Sequence, residues 1–577
     1  MNIPRPEHPN PIFERKTWEN LNGKWDFEFD FGTTARTKPI ESLIFSKEIT
    51  VPFCPESELS GINYKDIMNG VIYRRSFSVT KKQLEGRVFI NFGAVDYEAH
   101  IYINGNFAFC HRGGYSSFGG EITKLLNEGE NTVIVIAEDT IKEGRQPLGK
   151  QSINYASAGC CYTRTTGIWQ TVWLEFTPKT YIKKVKYYPD ILNKTLIIDA
   201  QLEGEGTFQA KASYKGKAVG SVSAKSHGGS LRVALSLSEL HLWEVGCGRL
   251  YDLELTYGED TVSSYFGMRN VRLDGMKFLL NEKVVFQRLV LDQGYYPDGI
   301  YTAKDDEALK NDIQLSLDVG FNGARLHQKI FEPRFLYHCD KMGYIVWGEH
   351  GSWGIKTGEP SFVYQFMDEW AEAVDRDFNH PAIIGWCPFN ETWNTYASNH
   401  SSCKYDNMVR LVYDLTKMYD TTRPCIDTSD GDHVKTDIFD VHYYEQDPEK
   451  LADFLAKAER GKSPSSPITA NNETYGGEPL FLSEYGGARW VEGQERPSDM
   501  GESWGYGNEP KTREEFIARF KGLADAVMDR PDHMGLCYTQ LYDVEQEQNG
   551  LYTYERKAKF DCAKLKAALS RKAAIEE

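Results

Sequence analysis

Residues 385–393 read GWCPFNETW, an apolar run that stops on an Asn-Glu pair. A strand buried on both faces is near-continuously apolar, because other elements cover the sheet above and below. A carboxylate at the end of such a run belongs at the carboxy-terminal rim of a parallel barrel, where the strands open to solvent. LFLSEYGG, Leu480–Gly487, repeats the arrangement with Glu484. Eight runs of this kind follow one another: FQRLVLDQ, GFNGARLHQ, GYIVWGEH, IIGWCPFNE, RPCIDTSD, DVHYY, PLFLSEYGG and GLCYTQLYD. Amphipathic helical patterns, such as KDDEALKNDIQLSLDVG, EPRFLYHCDKMG and EFIARFKGLADAVMDRP, lie between some of them. The alternation predicts a (β/α)8 barrel over 269–577, with Glu391 ending its fourth strand and Glu484 its seventh.

Upstream the rhythm is all-β. GRVFINFGAV, EAHIYINGNFAF, NTVIVIAEDT and WQTVWLEF have strand length and pattern, and Asn104-Gly105 marks a hairpin. They predict a β-sandwich over 1–178. TLIIDAQLEG, TFQAKASYKG, SLRVALSL and LYDLELTYG predict a second, immunoglobulin-like sandwich over 179–268. A chain of 577 residues has room for about three or four domains.

The formal charge of −17 and the absence of any run of five basic residues argue against a nucleic-acid partner. No window approaches the roughly 18 uninterrupted apolar residues of a membrane span. The polar, proline-rich start MNIPRPEHPN carries no apolar export segment. Eleven scattered cysteines, with Cys160-Cys161 adjacent and no CxxC, read as free thiols and not as a zinc site. The expectation is a cytoplasmic protein without metal or cofactor.

Two carboxyls across a barrel mouth can cleave an acetal, one protonating the departing oxygen while the other attacks the anomeric carbon or directs water at it. HPAIIGWCPFNE (His380–Glu391) resembles the acid/base signature of glycoside hydrolase family 2, the group of β-galactosidases, β-glucuronidases and β-mannosidases. PLFLSEYGG resembles its nucleophile strand. Arg5–Glu7, LNGKWDF, GAVDYEAHIYINGNF and TGIWQTVWLE resemble its amino-terminal sugar-binding-like jelly roll, and Gly267–Arg269 with FLLNEKVV its entry into the barrel.

The resemblance implies Glu391 as acid/base and Glu484 as nucleophile of a retaining exo-glycosidase, with the carboxyls about 5–5.5 Å apart. The charge of Glu484 would then hold Glu391 protonated. It also implies Asn390 on the sugar 2-hydroxyl and a tyrosine on the nucleophile, Tyr444 in preference to Tyr443, with His442 beside it. Arg325 would orient Glu484 or form a buried ion pair. His327, Asp292, Glu349, His350 and Gln540 complete a polar ring that touches sugar or stabilises its neighbours. Trp490, with Trp504 and Tyr506, would line an aglycone subsite or pack its own loop. The partner is a small glycoside or oligosaccharide, and the resemblance implies a homo-oligomer built through the β domains.

The family's tryptophan on strand eight is replaced by the Tyr538–Gln540 region, and the glucuronidase Asn-x-Lys element reads Asn549-Gly550-Leu551. A buried substrate carboxylate without a cation is costly, so a terminal β-galactoside is the first expectation. An α-L-arabinofuranoside or β-galactofuranoside follows, then a β-glucuronide with Lys329 or Arg334 as the cation. A non-catalytic carbohydrate-binding protein is the reading from a different class; retention of both glutamates weighs against it.

Overall fold

The computed structural model describes residues 3–356, 360–392, 402–458, 475–492 and 502–577. The connector at 461–474 and part of the loop after the seventh strand, 493–501, lie outside them.

The barrel is built from β1 (Gln287–Asp292), β2 (Gly323–Leu326), β3 (Ile345–Glu349), β4 (Ile383–Cys387), β5 (Thr428–Ser429), β6 (Phe439–His442), β7 (Leu480–Gly486) and β8 (His533–Thr539). Hydrogen bonding runs in parallel from β4 through β3, β2, β1, β8 and β7 to β6. A short continuation of β4, Phe389–Asn390, pairs with β5 on the remaining side. Strands β2, β4, β7 and β8 are buried at every position, as expected of strands covered on both faces.

Helices α1 (Asp306–Asp318), α2 (Pro333–Met342), α3 (Pro360–Asp377), α4 (Ser402–Tyr419), α5 (Pro448–Leu455), α6 (Arg513–Met528) and α7 (Cys562–Leu569) accompany the strands. Their ends follow local chemistry. Asp305, Asp447, Thr512 and Asp561 cap with side-chain oxygens on early amides. Pro333 opens α2, and Gly343 closes it at a φ of 68°.

Ahead of the barrel, a four-stranded and a six-stranded antiparallel sheet face one another across a core that includes Trp25, Phe27, Ile90, Ile101 and Val135. The 98–103 and 106–112 strands turn at Asn104 and Gly105, both in the left-handed region, as the Asn-Gly signal requires. A second sandwich follows, with three strands packed on four between Tyr181 and Phe266. Its strands alternate buried and exposed, as in Gly206–Tyr214, which separates them clearly from the barrel strands.

The domains are bolted together by buried polar contacts. Asp340 in α2 accepts from Tyr265 of the second sandwich at 2.8 Å, and its carboxylate meets His380 at 2.6 Å beneath β4. Trp243 donates to the Asp340 carbonyl at 2.7 Å. From the first sandwich, the Tyr115 amide donates to Glu369 of α3 at 2.6 Å. The 146–166 segment of that sandwich reaches over the barrel mouth: the Leu148 amide donates to the Trp353 carbonyl and the Gly149 amide to that of Gly351.

Candidate active site

The ends of β4 and β7 bring Glu391 and Glu484 together. One oxygen of each carboxylate and one ring nitrogen of His442 lie within 4.8 Å of one another. The Glu391 side chain is 22% exposed and that of Glu484 5%, so the first meets solvent and the second lies deeper in the same mouth. Glu391 has a φ of 44°, a left-handed conformation that costs a non-glycine residue about 1 kcal/mol or more. Its amide donates to the Ser429 carbonyl of β5 at 2.7 Å, which holds the turn.

Glu484 is fixed from three sides. Arg325 Nη1 donates to Oε1 at 3.2 Å, the Tyr444 hydroxyl donates to Oε2, and His442 Nε2 stands 3.4 Å from Oε1. Tyr443 points elsewhere, stacked on Phe454. Arg325 is fully buried and also donates to Glu349 at 2.9 Å and to Asn390 Oδ1 at 2.9 Å. Burial opposes its charge, but the carboxylates of Glu349 and Glu484 outweigh burial and keep it protonated. Asn390 is thereby oriented, with its carboxamide nitrogen buried and without a partner among the described residues.

His442 alters the expected electrostatics. Its Nδ1 lies 2.9 Å from Glu391 Oε1. Burial disfavours the imidazolium, yet the charge of Glu484, the hydrogen bond to Glu391 and the charge of Asp430 push its pKa up to about 9. The sequence predicts a raised pKa for Glu391, and the structure has it lowered. Burial raises it, but the His442 hydrogen bond and charge, with Lys150 and Arg325 beyond, bring it below the ordinary carboxylate value. Both shifts favour the proton on the ring over the carboxyl.

Glu391, His442 and Glu484 are spaced as a cation could bridge them. Here each ring nitrogen already faces a carboxylate, and Arg325 supplies positive charge to the same oxygen of Glu484.

Other members of the predicted polar ring fall elsewhere. His327 lies 2.9 Å from Glu349, and burial first of all keeps its ring neutral. Glu349 is consumed by Arg325, His327 and the Gln328 amide, so it braces the arginine. His350 is a correction. Side chains alternate along a strand, and His350 faces outward, stacked on Phe366 and Trp370 with its pKa pushed down to about 3 by burial. Asp292 takes the second of its two expected roles, stabilising its neighbours: Tyr542 and the Gly294 amide both donate to its Oδ1. Trp490 packs on Phe560. From the same loop Tyr506 lies flat on Tyr444 at 3.4 Å between ring centres, and Trp504 donates to the Gly159 carbonyl of the first sandwich. Gln540 accepts from Gln293 at 2.6 Å and donates to Asn549 at 2.8 Å.

That chain of amides leads to groups the sequence did not single out. Asn549 donates to Glu547, which also accepts from Tyr162 of the first sandwich at 2.5 Å. Burial pushes the Glu547 carboxyl up to about 7. Lys150 and Cys160 come from the same crossing segment. Lys329 and Arg334, offered as cations for a substrate carboxylate, are both engaged: Lys329 with the Gly294 and Tyr301 carbonyls, Arg334 with Asp306.

Comparison with known proteins agrees with this layout. The model described as "Glycosyl hydrolases family 2, sugar binding domain" matches residues 18–146, "Glycosyl hydrolases family 2" matches 180–269, and "Glycosyl hydrolases family 2, TIM barrel domain" matches 271–567. A β-galactosidase of Lactococcus lactis is 25% identical over 502 residues, covering 82% of this chain and 45% of its own. A β-glucuronidase of Felis catus is 25% identical over 432 residues, covering 66% and 64%. The chain thus spans about half to two-thirds of the length of these relatives. Among solved structures, a β-glucuronidase of Ruminococcus gnavus superposes with a TM-score of 0.78 at 17% identity, covering 98% of this chain and 100% of that one. A β-D-glucuronidase of Dictyoglomus thermophilum gives 0.76 at 23% identity, covering 98% of each. With three family matches laid in order over two sandwiches and a barrel, the chain belongs to glycosyl hydrolase family 2.

Proposed function

We propose that this protein is a retaining exo-glycosidase that removes a terminal β-linked sugar by double displacement. The observation that carries the reading is the pair Glu391 and Glu484, with carboxylate oxygens within 4.8 Å of one another at the mouth of the barrel. Carboxyls this close leave no room for a water between nucleophile and anomeric carbon, so one of them must attack directly. Glu484, held by Arg325 and Tyr444, is the nucleophile; Glu391, the more exposed, is the acid/base.

The proton for the first step is stored on His442. It moves through Nδ1 to Glu391 and on to the leaving oxygen, while Glu484 forms the glycosyl ester. That ester removes the charge that most favours the imidazolium, so the ring gives up its proton as the bond to the aglycone breaks. In the second step Glu391, now a carboxylate beside a neutral ring, takes a proton from the attacking water. The Asn390 carboxamide nitrogen, without a partner among the described residues, offers a donor to a sugar hydroxyl, of the kind that strengthens in an oxocarbenium-like transition state. The crossing segment of the first sandwich narrows the mouth, which favours chain ends.

For the sugar, two classes are taken to the test. The β-galactoside is the expectation from the sequence and matches the name of the Lactococcus relative. The β-glucuronide matches the names of the Felis relative and of several structural neighbours. A panel of nitrophenyl glycosides separates them. Glu484→Gln should lower turnover by at least about 10³-fold. Azide should rescue Glu484→Ala with an inverted glycosyl azide and Glu391→Ala with a retained one. The opposite stereochemistry would exchange the two roles, and no turnover of any glycoside would sink the reading.

A further inference from the structure

Lys150 is placed by the sandwich and not by the barrel. The Tyr162 amide donates to its carbonyl at 2.7 Å, and its neighbours Leu148 and Gly149 are pinned to the loop after β3. Gln151 is tied to Asp96 at 2.8 Å. The backbone is therefore fixed on both sides of the lysine.

The residue is 7% exposed, and its ammonium lies 4.0 Å above the ring of Trp353. That ring is itself anchored, its Nε1 donating to the Asn390 carbonyl at 3.0 Å. The ammonium therefore stands one indole away from the Asn390-Glu391 pair. It makes no hydrogen bond and no ion pair with any described residue; against burial, the nearby charges of Cys160 first, then Glu547, Glu391 and Glu484, keep it protonated. Glu547 makes no direct contact with it; its oxygens accept from Tyr162 and Asn549.

Other buried cations near the barrel end are spent on the protein. Arg325 serves two carboxylates, Lys329 two carbonyls, and Lys559 is paired with Asp543. A buried ammonium without a hydrogen-bond acceptor is costly, and a cation–π contact compensates only part of it. An anion brought by the ligand would supply the acceptor that the described residues do not. A terminal uronide supplies one, a carboxylate on the sugar ring. The surrounding glutamates would repel that group unless a cation received it.

We propose that Lys150 is a specificity-determining residue whose ammonium docks the carboxylate of a terminal β-uronide. This rests on the glycosidase reading above and names its substrate class.

The test uses the full chain with nitrophenyl β-D-glucuronide and β-D-galacturonide, against the matching glucoside and galactoside, which carry a hydroxymethyl group in place of the carboxylate. The wild type should favour one uronide over its neutral counterpart by about 10²-fold or more in kcat/KM. Lys150→Met should lower the ratio of uronide to neutral-glycoside kcat/KM by about 10²-fold, chiefly through the uronide KM. Lys150→Arg should recover part of the loss. A wild-type preference for neutral hexosides overturns the proposal, as does a Lys150→Met that lowers both classes alike. Calorimetric titration of Glu484→Gln with free D-glucuronate and D-galacturonate keeps the two readings apart. Uronate binding that disappears with Lys150→Met supports the lysine's role even where no glycoside is cleaved, a result that would sink the glycosidase reading alone. No uronate binding to Glu484→Gln overturns the lysine's role.

Discussion

His442 touches both glutamates, and its titration should govern the alkaline side of activity. With its pKa at about 9, kcat/KM should fall as pH rises through about 9, because the ring then has no proton to pass to Glu391. In His442→Asn the carboxyl must hold its own proton, and the alkaline limb should move to lower pH by more than one unit; a pH profile of kcat/KM for both proteins checks this. The same ring makes a stability prediction. A pKa raised in the folded state contributes stability that is complete below its ordinary 6.5 and disappears as pH climbs through about 9. Urea denaturation between those limits should show a downward slope that His442→Asn flattens. None of this was legible in DVHYY. The sequence puts a histidine near the nucleophile strand, but only the barrel's closure between β5 and β6 brings it against Glu391 as well.

Within the barrel, β3 and β4 interlock through a reciprocal pair. A methyl group on Gly385 would sit 2.2 Å from the Trp347 ring, and one on Gly348 would sit 2.6 Å from the Trp386 ring. Each glycine makes the space for the tryptophan of the neighbouring strand. Gly385→Ala should destabilise by about 1–3 kcal/mol through overpacking, seen as a lower midpoint in chemical denaturation, and Gly348→Ala similarly. The strands themselves were readable, because an apolar run of strand length that ends in polar residues is what a strand covered on both faces and open at its rim requires. Which polar residue faces inward was not. Glu349 and His350 are neighbours in sequence, yet one braces Arg325 inside the barrel and the other stacks under α3. Trp490 and Tyr506 come from one aromatic loop, and only Tyr506 stacks on Tyr444 beside Glu484.

At the scale of the molecule, the mouth is assembled from two domains. Tyr162, Lys150 and the Gly159 carbonyl meet Glu547, Trp353 and Trp504 respectively. Replacing residues 157–161 with a Gly-Ser stretch should lower kcat/KM by at least about tenfold while shifting the thermal midpoint by only a few degrees. That stretch is partly or fully exposed, whereas the contacts of Tyr115 and Trp169 lie deeper. A collapse of the midpoint would instead make the segment a structural strut. These cross-domain contacts had no signal in the sequence, since the segment reads as an ordinary loop between strands and its partners follow from docking.

The crossing segment has a consequence for how such a molecule diversifies. Under the function proposed above, the two glutamates are carried by strands that cannot shift without unseating the whole barrel, while Lys150 hangs from an outlying sheet. Drift in that sheet would then re-address the protein to a new glycoside, leaving the bond-breaking engine as it was.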